Sequence, residues 1–106
     1  MRVAREEVFG PVLAIMPFDT EEEAIAIANG TEFGLVAGVF TQDISRAMRC
    51  TRRLKSGQVF VNEWYAGGIE TPFGGVGLSG CGREKGQEAL YSYVRTTNVA
   101  IRGAGE

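Results

Sequence analysis

Histidine is absent from the 106-residue chain. That removes the commonest acid–base group near neutral pH and any Ser–His or Cys–His catalytic pair drawn from these residues alone. Cysteine is scarce: Cys50 and Cys81 lack the paired spacings of a zinc site or a disulfide framework, so both are expected to be reduced thiols with no metal to hold. No apolar run approaches the roughly 20 residues of a membrane span, and the Arg and Glu residues around Val3 do not suit a signal peptide. A strong charge of one sign is missing as well. The formal charge of -2 gives no electrostatic reason to expect nucleic acid or an anionic membrane as partner, and a cytoplasmic location is the expectation.

Apolar content of 44% and charged content of 23% are ordinary for a folded domain, and the length fits one. Only glycine is unusual: of 15 in the chain, 8 fall between Gly67 and Gly86. The order of elements is legible from periodicity. The run Val12 to Met16 (VLAIM) reads as a strand buried on both faces. A helix follows, with Thr20 and Glu23 as a capping box, Ala24, Ile25 and Ala28 as its apolar stripe and Asn29-Gly30 as its end. Leu35 to Phe40 reads as a second strand. Thr41 or Asp43 can cap a second helix whose inner face is Ile44, Ala47, Met48, Thr51 and Leu54, stopped by Gly57. Val59 to Val61 completes a β-α-β-α-β parallel layer of the α/β class. Residues 63–80 form a glycine-rich loop too long for a mere connection. Arg83 to Tyr91 reads as a short helix, Tyr93 to Arg102 as a final strand, and the tail GAGE as frayed.

Within the loop, Gly75 to Gly80 spells G-x-G-x-x-G, with Cys81 directly after it. A dinucleotide fold needs a strand before this motif, a helix after it and an acid about 20 residues on. Here PFG precedes it, and the position of the acid falls near Ala100. Small residues for positive φ or close packing explain the glycines better. Cys81 has Arg83 nearby but no evident base, and cysteine often serves as a small apolar residue. Arg46, Arg49, Arg52 and Arg53 around Cys50 invite a phosphate, although a solvated helix face fits the acidic total better.

Three segments in fixed order are more specific than any of these: EEVFGPV at residues 6–12, GQVFVN at 57–62, and PFGG with SGCGREKG from Pro72 to Gly86. Together they resemble the C-terminal portion of the aldehyde dehydrogenase superfamily, over residues 5 to 101. The resemblance implies an oxidation of an aldehyde to a carboxylic acid in which a cysteine thiolate adds to the carbonyl, hydride leaves to NAD or NADP, and a glutamate-activated water releases the acid. It also implies that the nucleophilic cysteine, the general-base glutamate and the Rossmann domain lie upstream of this chain, with Met1 matching an internal methionine. No catalytic residue is therefore expected here, and Cys81 falls at a variable position.

By the same resemblance, Glu7 matches a glutamate that accepts hydrogen bonds from the nicotinamide-ribose hydroxyls, and Phe9 an aromatic beside the nicotinamide ring. Glu7 as a solvated charge and Phe9 as core remain the plain alternatives. Phe73 matches an aromatic wall of the aldehyde pocket, and Gly67 stands where relatives carry a larger residue, which implies a wider pocket. Gly77 replaces a lysine usual in the family. Residues 1–91 correspond to the end of the catalytic domain, and residues 92–106 to an oligomerisation strand and tail. The expected partners are the aldehyde, further copies of the subunit or the rest of a dehydrogenase subunit. A non-catalytic module that docks onto dehydrogenase subunits through its last strand is the alternative.

Overall fold

The sequence patterns that survive into structure are those with a partner inside the chain. In the computed structural model, which describes residues 1–103 and 105, helix α1 spans Glu21–Ala28. Thr20 caps it as expected, its hydroxyl accepting from the Glu23 N–H at 3.1 Å. Glu23 returns a carboxylate to the Asp19 N–H at 2.9 Å, one residue earlier than a standard capping box. Helix α2 spans Ile44–Arg53, and of the two candidate caps Asp43 does the work, accepting from Ser45 and Arg46.

Strand β2 (Val36–Val39) lies parallel to β3 (Gln58–Val61), in register from Val36–Gln58 to Val39–Val61. With α2 between them they form one βαβ unit, the expected centre of the α/β layer. The outer strand of that layer is corrected: no ladder pairs residues 12–16, and Leu13 and Ile15 are each 82% exposed. A buried parallel strand needs neighbours on its edges, and none is present among the described residues for this run. Tyr93 to Arg102 likewise carries no strand, for the same reason. The short helix is also revised. Lys85 and Gly86 adopt left-handed φ values of 59° and 60°, so no helix can run through them, and a 3-10 segment begins only at Gln87, extending to Ser92. Of the tail, Ala104 and Glu106 lie outside the described residues.

The glycine-rich loop contributes a pairing that periodicity did not reveal. Strand β1 (Phe33–Gly34) is antiparallel to β4 (Val76–Gly77). The inner face of α2 is rotated from its expected position: Ala47 and Cys50 are buried, whereas Ile44 and Met48 face outward. The helix also ends short of Gly57. Asn29 terminates it, with Nδ2 donating to the Arg53 carbonyl and Oδ1 accepting from the Lys55 N–H, both at 2.9 Å. Asn62 does the same at the top of β2, pairing with both backbone groups of Thr41 at 2.8 Å.

The arginines of α2 have a structural use. Glu21 of α1 accepts from Arg49 through both carboxylate oxygens, at 3.0 and 2.8 Å, with Arg46 at 3.5 Å. The two helices are thereby clamped charge to charge. The core itself is thin, with Ile25, Ala47, Cys50 and Phe60 as its buried apolar residues. The Cα radius of gyration is 19.9 Å, against about 13 Å for a compact chain of this size. The accessible surface is 9044 Å², where a compact chain of this mass would expose about 5,800 Å².

The hydrogen bond from Arg49 holds the Glu21 carboxyl below its ordinary range, and the N–H groups of Arg46 and Ser45 do so for Asp43. A depressed carboxyl contributes stability above its unfolded pKa and loses it as pH falls through the folded one. Stability measured by urea unfolding should therefore decline below about pH 4, and Glu21→Gln should weaken that decline. An acid limb unchanged in Glu21→Gln would show that the clamp does not couple to folding.

Candidate functional site

The loop that carries Phe73 is fixed to the βαβ unit by backbone contact. A Cβ at Gly57, just before β3, would overlap the Gly74 carbonyl oxygen and come within 3.0 Å of the Gly75 Cα. Only glycine permits this approach. Further along, the Phe73 N–H donates to the Glu84 carbonyl at 2.7 Å and the Glu84 N–H returns to the Phe73 carbonyl at 2.6 Å, an isolated antiparallel bridge. Arg83 Nη1 donates to the carbonyls of Gly75 and Gly82, each at 2.8 Å, and so ties the two arms of the loop together. The Gly86 N–H donates to Ile69 at 2.8 Å and closes the base.

Phe73 is half-buried and lines a cavity of about 760 Å³ with Leu35, Ile69, Arg83, Lys85 and Tyr93. Lys85 Nζ lies 5.8 Å from the Phe73 ring centroid, within reach of a cation–π attraction. Glu7 lines a separate cavity of about 570 Å³ with Phe33 and Trp64 among others. Leu35 and Ser79 line both cavities, so the two share a partition. Phe9 joins Glu7 in a third depression, with Val8 and Gly10. Its backbone is left-handed at φ 52°, unusual for a bulky aromatic, and the residue is 93% exposed. Glu7 and Phe9 are thus neighbours, Phe73 stands apart from them, and Phe9 takes no part in the core of the described residues.

Gly67 has a local reason to be glycine. Its φ is +102°, and a Cβ there would sit 2.6 Å from Thr71 Oγ1. The G-x-G-x-x-G spelling is local too: Gly77 is left-handed at φ +61° inside β4, and no α-helix follows Gly80 among the described residues. Cys81 is exposed and Cys50 buried. Among the described residues no group of three or more Cys, Asp or Glu side chains is placed to hold a metal ion, and no helix is long and apolar enough to cross a membrane. Sequence reasoning passed over Arg83 and Gln58, whose side chains bind loop carbonyls; their polar character alone offered no signal for it.

Residues 1–99 match the aldehyde dehydrogenase family. A betaine aldehyde dehydrogenase of Cereibacter sphaeroides is 52% identical over 101 residues, 95% of this chain and 21% of its own length. Among solved structures, a provisionally assigned aldehyde dehydrogenase from Burkholderia cenocepacia is 64% identical, with a TM-score of 0.82 over 88% of this chain and 20% of that one. A betaine aldehyde dehydrogenase from Staphylococcus aureus, solved in complex with NAD+, is 45% identical with a TM-score of 0.83 over 88% and 18%. The chain therefore spans about a fifth of the length of the relatives it matches.

The close approach at Gly57 makes a direct prediction. Gly57→Ala forces the loop off β3 and should cost about 1–3 kcal/mol or more, with faster amide exchange at Phe73 and Glu84. Unchanged exchange at both would show that the loop does not depend on this contact.

Proposed function

Because the chain belongs to the aldehyde dehydrogenase family, we propose that it supplies part of the cofactor and substrate walls of an NAD(P)-dependent oxidation of an aldehyde to a carboxylic acid. The observation that carries this reading is the shared partition at Leu35 and Ser79 between the cavity of Glu7 and that of Phe73. A cofactor side and a substrate side that adjoin are what hydride transfer between two bound molecules requires.

The residues fit a nicotinamide nucleotide in their donor chemistry. A carboxylate such as Glu7 can accept from two adjacent ribose hydroxyls at once, and the exposed ring of Phe9 offers an apolar face. When bound, the nicotinamide would supply the hydride acceptor. Glu7 and Phe9 would hold and orient it. Phe73, anchored on both sides by its bridge to Glu84, would exclude water from the reacting carbon. The nucleophile and the general base would come from elsewhere in a complete subunit, and Cys81 takes no part. At Gly67 the missing side chain would leave the pocket mouth open, so the aldehyde need not be that of any relative.

A second contribution is structural. Tyr93, Val99 and Ile101 are 87%, 72% and 88% exposed, with no strand partner for this segment among the described residues. Residues 92–106 would serve as the strand that joins an oligomer's sheet, and residues 1–91 would complete the catalytic domain. That segment alone would also serve a non-catalytic docking module. The partition shared by the cavities of Glu7 and Phe73 is what favours the enzymatic reading.

The test is a chimera in which this chain replaces the matching fifth of the Cereibacter enzyme. Glu7→Gln should raise the KM for the nicotinamide cofactor about tenfold or more, the loss of charge-assisted hydrogen bonds. Phe73→Ala should raise the aldehyde KM instead. Variants that leave both constants unchanged would contradict the assignment.

A further inference from the structure

Gln58 opens strand β3, and its side chain does not simply face solvent. It is partly buried, and its Nε2 donates to the Pro72 carbonyl, the peptide group that leads directly into Phe73. On its backbone side, Gln58 is fixed twice over. Its N–H donates to the Leu35 carbonyl at 3.0 Å, and its Cα is paired with Val36 in the parallel register. The side chain therefore transfers the position of the paired strand β3 to the residue before Phe73.

The remaining anchors act elsewhere: the β1–β4 ladder, with Leu78 and Ser79 beside it, ties the loop down only from Val76 onward, three residues past Phe73. The Phe73–Glu84 bridge and the Arg83 contacts lie within the loop, so they hold its arms to each other without setting where the loop stands against the sheet. The Gly57–Gly74 approach limits how close the loop can come but supplies no hydrogen bond there to hold it. On the Pro72 side of the wall Gln58 is the directional link to β3, and Leu35, its backbone partner, lines the same cavity as Phe73.

We propose that Gln58 is a positioning residue for the aldehyde pocket, its amide fixing the Pro72 carbonyl so that Phe73 stands at a set distance from Leu35. This inference rests on Phe73 being a pocket wall. A positioning error of about 1 Å at such a wall weakens how the aldehyde is held and oriented.

The experiment compares Gln58→Leu, which keeps the bulk and loses the donor, with Gln58→Lys, which keeps a donor, in the same chimera. Gln58→Leu should raise the aldehyde KM several-fold, leave the cofactor KM unchanged and speed exchange of the Phe73 amide. Gln58→Lys should recover most of both effects. Phe73→Ala is the control that separates the two readings. If it leaves the aldehyde KM unchanged, the pocket-wall reading fails. If it raises that KM while Gln58→Leu does not, the wall stands and the role of Gln58 is overturned. Should the variants be inactive, amide exchange of Phe73 decides: protection in Gln58→Leu equal to that of the parent overturns the proposal, and loss restored by Gln58→Lys supports it.

Discussion

The contact of Gly57 with Gly74 is the constraint on which the rest of the site depends. It brings a loop backbone against the first residues of β3 with no side chain between them. Everything that the loop presents is referred to the sheet through this point, the Gln58 amide and the short β1–β4 ladder. Phe73 then needs only its bridge to Glu84 to be held on both sides. A rigid βαβ unit with a tethered loop at its edge is a common way of placing a binding wall, since the scaffold and the variable surface are kept separate.

The second constraint is the shortage of buried apolar area. A core of Ile25, Ala47, Cys50 and Phe60 is small beside the exposed Leu13, Ile15, Phe40 and Ile69. Hydrophobic burial of about 25 cal/mol per Å² cannot act on surface that nothing covers. Ion pairs and side-chain amides do more of the holding in consequence: Glu21 with the arginines of α2, Asn29 at the end of α2 and Asn62 at the top of β2. These interactions give direction to the packing, while the apolar faces of residues 12–16 and 93–101 remain available to further chain.

What could be read from the sequence follows from the same division. The caps at Thr20 and Asp43, the parallel strands on either side of α2 and the irrelevance of the glycine spelling were all local or nearly so. Residues 12–16 and 93–102 have strand composition without a partner to make the ladder, and composition alone cannot supply one. The helix expected from Arg83 was lost to the left-handed pair Lys85 and Gly86, a backbone choice that lysine does not announce. Of the site, Glu7, Phe9, Phe73 and Gly67 came from resemblance to a family. The way Phe73 is held depends on carbonyl partners that lie 8 to 14 residues away from Arg83 and Gln58, and no periodicity encodes them.

Under the function proposed, these residues form walls and leave the bond-making chemistry to other parts of a subunit. NADH formation from NAD+ and a series of aldehydes, betaine aldehyde and bulkier ones, measures this most directly, with the chain by itself set beside the chain grafted in place of the matching fifth of the Cereibacter enzyme. No turnover above background is expected of the chain alone, and for at least one of these aldehydes turnover by the graft within about tenfold of the parent enzyme on its own substrate, a difference of about 1.4 kcal/mol in barrier. Turnover by the isolated chain, or a folded graft that binds neither aldehyde nor cofactor, would contradict that function.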